Sequence, residues 1–157
     1  MFLVPIVDQL EIVASAAIAA FLGALIGLER EKAEKPTGLR TMALISSASA
    51  LVVALGMQIN ELTPGMGDPT RALHGVITGI GFLGAGTIAM TGGSRSRVGG
   101  VTTAATVFVT AAIGITVGLG APVSAALATL LVLAALRMGG VLEKMGLRQP
   151  RRDVDDD

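Results

Sequence analysis

The sequence contains no cysteine, no tryptophan and no tyrosine, and one histidine in 157 residues. Without cysteine there are no disulfides, no thiol chemistry and no cysteine-ligated zinc. Without tryptophan and tyrosine no aromatic belt can mark a membrane–water interface. Charge is also scarce: 15% of the residues are Asp, Glu, Lys or Arg, and they balance to zero. A neutral chain has no global attraction for nucleic acid, and none is expected as a partner. No Ser/His/Asp or metal-ligand constellation is apparent. No catalytic residue is therefore assigned, an enzyme is not expected, no cofactor is expected, and any metal site is unknown.

What is abundant is apolar sequence, at 52% of residues with a mean hydropathy of +0.71. The charges are bunched into short connectors between long uncharged runs. This is the pattern of an all-α membrane protein crossing the bilayer several times. Five transmembrane helices are predicted, at about Ile12–Leu28, Thr41–Ile59, His74–Met90, Val101–Leu119 and Val123–Leu136. The last is short for a bilayer of about 30 Å, which needs about 20 residues, and its run can continue to Leu142. Met1–Leu10 has no Lys or Arg and is read as part of an uncleaved first span rather than a secretory signal. The expected organisation is a membrane domain over 1–142 and a charged, disordered cytoplasmic tail over 143–157.

Alternating the spans places eleven of the twelve Lys and Arg residues on one side, with Arg71 alone on the other. By the positive-inside rule the N-terminus lies outside and the C-terminus in the cytoplasm. No predicted span interior holds an ionisable residue; Glu11 and His74 stand at edges. Membrane ion pathways usually place such groups inside, so the sequence offers no intramembrane carboxylate for a divalent cation.

The third span carries Gly79-Ile-Gly-Phe-Leu-Gly-Ala-Gly86, in which Gly79, Gly81, Gly84 and Gly86 crowd one short stretch. Each glycine costs a soluble helix about 1 kcal/mol relative to alanine, whereas in lipid a missing side chain lets another backbone come close. The other spans are therefore expected to arrange themselves around this one. The spacing formally matches G-x-G-x-x-G, but the strand, helix and acidic residue of a nucleotide site are missing. Two membrane readings remain open: close helix packing, or a helix broken near Gly81–Gly84 that exposes backbone groups to an ion or solute.

Two further spans show small residues every four positions: Ser15, Ala19, Gly23 and Gly27 in the first, and Thr102, Thr106, Thr110, Gly114 and Gly118, flanked by Thr103, in the fourth. The threonines either bond their own backbone carbonyls, bond neighbouring helices or line a polar path. Glu29 and Arg30 end the first span and Arg40-Thr41 begins the second. They form either a solvated interfacial cluster or an ion-pair network facing a partner. In the second connector, Pro64, Gly65, Gly67 and Pro69 are turn formers, Asp68 is a predicted N-cap with Pro69 at the first helical position, and Arg71 is three residues on and able to pair with it.

In order, Gly27-Leu-Glu-Arg-Glu31, Thr37-Gly-Leu-Arg-Thr41, Asp68-Pro-Thr-Arg71, the glycine stretch and Thr102-Thr-Ala-Ala105 resemble the MgtC/SapB family over roughly residues 15–120. The resemblance implies a bacterial inner-membrane protein linked to magnesium limitation or to stress and virulence. It also implies action on other membrane proteins rather than magnesium transport. Membrane lipid, a second copy of the chain (a dimer favoured) and other inner-membrane proteins are the expected partners; the alternative is a small transporter or channel for a cation, magnesium or proton, or for a polar solute. The resemblance carries Glu29, Arg30, Arg40, Thr41, Asp68, Arg71, the four glycines, Thr102 and Thr103 over as motif residues, with Thr106 added from the stripe. The sequence departs from the family pattern at Gly99-Gly100, Phe108 and Gly75. The C-terminal cytoplasmic domain that many relatives carry is not expected here, nor is regulation through it.

Overall fold

The computed structural model describes residues 4–63, 68, 70–91 and 100–144, and all regular structure in them is helical. Five helices follow one another: α1 Ile6–Lys32, α2 Leu39–Leu62, α3 Thr70–Thr91, α4 Val101–Gly118 and α5 Pro122–Lys144. The first four are long and apolar enough to cross a membrane by length and composition, while the apolar part of the fifth, Pro122–Met138, is shorter. The order matches the predicted spans. The helices outrun them at most ends because regular hydrogen bonding continues into the polar flanks, where apolar composition stops.

The helix ends follow local rules. α1 closes with the N–H of Lys35 on the Arg30 carbonyl and that of Glu34 on the Glu31 carbonyl, with Glu34 left-handed at φ 53°. This is a Schellman cap in which a glutamate takes the position glycine usually holds. α4 ends the same way with the conventional residue. Ala121 N–H reaches the Thr116 carbonyl, Gly120 N–H reaches that of Val117, and Gly120 has φ 79°. Pro122 then opens α5, so Gly120-Ala121-Pro122 makes the expected tight reversal.

Contacts fix how the helices run. Gln58 of α2 donates to Asp8 of α1 at 3.2 Å at one end of the pair, and Glu31 accepts from the Leu39 N–H at 3.3 Å at the other, so α1 and α2 are antiparallel. Gly114 abuts Ser46 and Gly118 abuts Ala50, which makes α2 and α4 parallel. The apolar core lies among α1, α2, α4 and α5, built from Ala19, Leu22, Ile26, Ala50, Ile113, Val117 and Ala125, and a smaller cluster joins Met42, Val107 and Ala111 to Ile80 of α3.

The third helix is therefore not the centre of the bundle, which corrects the expectation from its glycines. α1, α2 and α4 form the centre, and α3 packs on one side, mainly against α4. Of the described α3 side chains only Ile80 is buried. The glycines that do bring backbones together are those of the four-residue stripes. A Cβ on Gly23 would stand 2.5 Å from the Met42 carbonyl oxygen, one on Gly27 2.5 Å from Leu39 Cα, and one on Gly118 2.6 Å from the Ala50 oxygen, while one on Gly114 would collide with the Ser46 carbonyl. In lipid the hydrophobic effect does not drive helix against helix, so this close approach and its dispersion contacts hold the centre together.

Candidate functional site

At one end of the bundle, the last turn of α1 meets the first turn of α4. Arg30 is only 5% exposed, although it stands at the margin of an apolar span. Its Nη2 donates to Thr103 Oγ1 at 3.3 Å across 73 residues of sequence. Its Nε has no acceptor and no access to solvent, and neither has Oε2 of the neighbouring Glu29. Consecutive residues on a helix point about 100° apart and do not face one another. Glu29 thus acts on Arg30 through space without a hydrogen bond to it, and each keeps an unanswered polar atom.

The head of α4 adds to this environment. Gly100 precedes the helix in a left-handed conformation at φ 79°, and among the described residues no side chain caps it. The first N–H groups of a helix lack intrahelical partners and carry partial positive charge. Arg30 is consequently held, through Thr103, at a positive helix end.

Of the residues the motifs single out, the structure joins Arg30 to Thr103 at this end. Arg40, Thr41 and Thr102 are exposed at the same end, and among the described residues no hydrogen bond joins Arg40 to Glu29 or Arg30. The network of Glu29, Arg30 and Arg40 reduces to Arg30 with Thr103, because the first turn of α2 leaves Arg40 outside. Arg95 and Arg97 fall outside the described residues, as do Pro64, Gly65, Gly67, Pro69 and the tail from 145.

The threonine stripe runs inward from this cluster. Thr106 donates to the Thr102 carbonyl at 2.7 Å and Thr110 to that of Thr106 at 2.8 Å, and both are buried. Each hydroxyl is satisfied within its own helix, which is the self-bonding reading of the stripe. α2 lays Ser46 and Ser49 against this region. Ser49 bonds the Ile45 carbonyl at 2.8 Å, while Ser46 Oγ is buried without a partner. Ser46 sits where Gly23 and Gly114 close on α2 from two sides. Its position in the serine-rich half of that span was visible in the sequence, but nothing there distinguished it from Ser47 or Ser49.

At the opposite end, Asp68 Oδ1 accepts the Thr70 N–H at 2.9 Å and the Thr70 hydroxyl at 2.7 Å. These bonds hold its carboxyl below the ordinary carboxylate range. The predicted capping role is present. Arg71 meets Asp68 through its backbone N–H on the Asp68 carbonyl at 3.0 Å instead of through the expected side-chain pair. Nδ1 of His74 lies 2.8 Å from the Thr70 carbonyl.

α3 is helical without interruption from Thr70 to Thr91, so the broken-helix reading of Gly81–Gly84 does not hold. Four of its five glycines nevertheless remain without neighbours. A Cβ on Gly75, Gly79, Gly81 or Gly86 would find nothing within 4 Å, and one on Gly84 would meet only Ala104 Cβ at 3.7 Å. Beside them Phe82 projects, 81% exposed. This helix presents two bare strips of backbone outward, Gly75, Gly79 and Gly86 on one face and Gly81 with Ala85 on another.

A family model described as the MgtC family matches residues 17–145. The chain is 39% identical over 117 residues to Protein MgtC of Salmonella typhimurium, covering 74% of this chain and 47% of that protein. It is 39% identical over 110 residues to Protein SrpB of Synechococcus elongatus, covering 66% and 60%. It is 35% identical over 150 residues to an uncharacterized protein of Haemophilus influenzae, covering 92% and 62%. The chain thus spans about half to three-fifths of the length of these curated relatives. No solved structure matches it.

Proposed function

This chain belongs to the MgtC family, and from that premise we propose that it is a regulatory protein of the bacterial inner membrane. In this reading it acts through helix–helix contacts with a second copy of itself or with other membrane proteins, in the response to magnesium limitation or stress. Its five helices span the membrane, with the N-terminus outside and the C-terminus in the cytoplasm, and it catalyses no reaction.

One observation carries the reading. The chain uses close glycine approach where its own helices cross, at Gly23, Gly27, Gly114 and Gly118, and leaves Gly75, Gly79, Gly81 and Gly86 of α3 uncovered. Bare helix backbone in lipid is what a partner helix packs against, with small residues letting the two axes come close. The alternative of a small channel or transporter needs exposed backbone groups or a free hydroxyl path; α3 is unbroken and Thr106 and Thr110 bond their own helix.

The test replaces Gly79 or Gly81 by leucine in the full chain. Neither position meets a neighbour within 4 Å, so the protomer is expected to fold normally while self-association, or co-purification of membrane partners, is lost. Gly84→Leu is less clean because it also pushes on Ala104. Self-association and partner recovery that match the unaltered protein would refute the reading.

A further inference from the structure

The Arg30 cluster has no part in the contacts proposed for α3, and it points to a ligand of its own. Arg30 is an ionised side chain with nearly all its surface withdrawn from solvent, one bond to Thr103, and an Nε–H with no acceptor. A guanidinium carries five donors in a rigid fork, and a buried charged donor without an acceptor is costly. Its hydrogen-bond partner Thr103 lies in the first turn of α4, an 18-residue helix whose first N–H groups carry partial positive charge and meet no side-chain cap among the described residues. The neighbouring carboxylate of Glu29 acts on Arg30 through space but is not hydrogen-bonded to it and leaves its own Oε2 unanswered. Two features, a helix end and a buried guanidinium whose Nε–H has no acceptor, thus ask for the same thing: an acceptor with negative charge.

We propose that Arg30 and the first turn of α4 form a binding site for a phosphate oxyanion. A phosphate matches the guanidinium fork with paired oxygens and accepts from helix N–H groups at the same time. The site lies where the apolar run of α1 gives way to Glu29-Arg30-Glu31-Lys32, at the depth of lipid headgroups rather than in the hydrocarbon. Anionic phospholipid and free phosphate both present this chemistry, and the experiment separates them.

The full-length protein is purified in detergent and offered dioleoyl phosphatidylglycerol or dioleoyl phosphatidylcholine at equal mole fraction. Bound lipid is read by native mass spectrometry, and inorganic phosphate is added in a parallel series. The unaltered protein should prefer phosphatidylglycerol about ten-fold or more, the size one charge-assisted hydrogen bond supplies. Displacement of that lipid by millimolar phosphate, beyond what equal ionic strength of chloride achieves, assigns the site to the free anion as well; no displacement assigns it to the headgroup. Arg30→Gln should abolish the preference, and Lys32→Gln, which changes an exposed charge one turn-fraction away, should leave it in place. Glu29→Gln removes the adjacent negative charge and should raise it. No preference in the unaltered protein, equal losses for Arg30→Gln and Lys32→Gln, or a fall for Glu29→Gln would each overturn the proposal. Because the first and last of these readings do not use the Arg30 variant, the proposal stays testable if Arg30→Gln fails to fold.

Discussion

Gly23→Ala and Gly79→Ala are the same chemical change in two apolar helices, and the structure separates their outcomes. Both gain the same helix propensity, about 1 kcal/mol on scales measured in water, so their difference isolates what the new methyl meets. At Gly23 it meets the Met42 carbonyl oxygen at 2.5 Å and Ser46 Cβ at 2.8 Å, where ordinary contact begins at 3.4 Å. The first obstacle is backbone in the first turn of α2 and cannot rotate aside, so α1 and α2 must part by roughly 1 Å there and give up close packing. Overpacking of this kind costs about 1–3 kcal/mol, and a backbone obstacle places Gly23→Ala toward the upper end. At Gly79 the methyl meets nothing within 4 Å. Gly23→Ala should therefore fall about 1–3 kcal/mol below Gly79→Ala. The measurement is denaturant unfolding in detergent followed by far-ultraviolet circular dichroism, since the chain has no tryptophan or tyrosine to report by fluorescence. Detergent is kept in large excess so that association does not enter. Equal stabilities, or Gly79→Ala the less stable of the two, would refute the packing order in which α1, α2 and α4 form the centre and α3 the margin.

Three further outcomes are expected. Thr103→Val leaves the Arg30 guanidinium without its hydrogen bond and should destabilise by about 1–3 kcal/mol, whereas Thr106→Val removes a hydroxyl bonded to its own helix and should stay within about 1 kcal/mol, both read by the same unfolding assay. Glu34→Gly places the customary residue at the left-handed position of the α1 cap and should stabilise by roughly 1 kcal/mol; a loss of stability would count against the Schellman geometry. The Asp68 carboxyl is held below its ordinary range by Thr70, so its support for the start of α3 is complete above the unfolded-state pKa and disappears as the pH falls through the lower, folded-state value. Acid titration of helix content should show this loss in the unaltered protein and not in Asp68→Asn.

The four-residue stripes in the first and fourth spans carried more of the packing than the denser glycine cluster in the third. Ala19, Gly23, Gly27, Thr106, Thr110 and Gly114 all lie in the buried centre. Their signal was a face, repeated over four turns, which is what two straight helices need to stay close over their length. Gly79 to Gly86 are spread around α3 on more than one face, so the cluster marks permissive backbone without defining a seam. Glu29 and Arg30 were legible as a charged boundary. Their unequal fates were not, because Arg30 is buried by a helix that begins 71 residues later.

The sequence by itself determined that the chain is helical and apolar, the order of its five helices, and most of their stops. These follow from local causes: runs of apolar residues, the Gly120-Ala121-Pro122 reversal, and the hydrogen-bonding reach of Asp68 to Thr70. Only the tertiary structure decided which glycines touch a neighbour and which stay bare, and that Arg30 reaches Thr103. A residue's own chemistry fixes how close another backbone can come. Whether one does come depends on the shape of a second surface far away in the chain, and no window of sequence contains both.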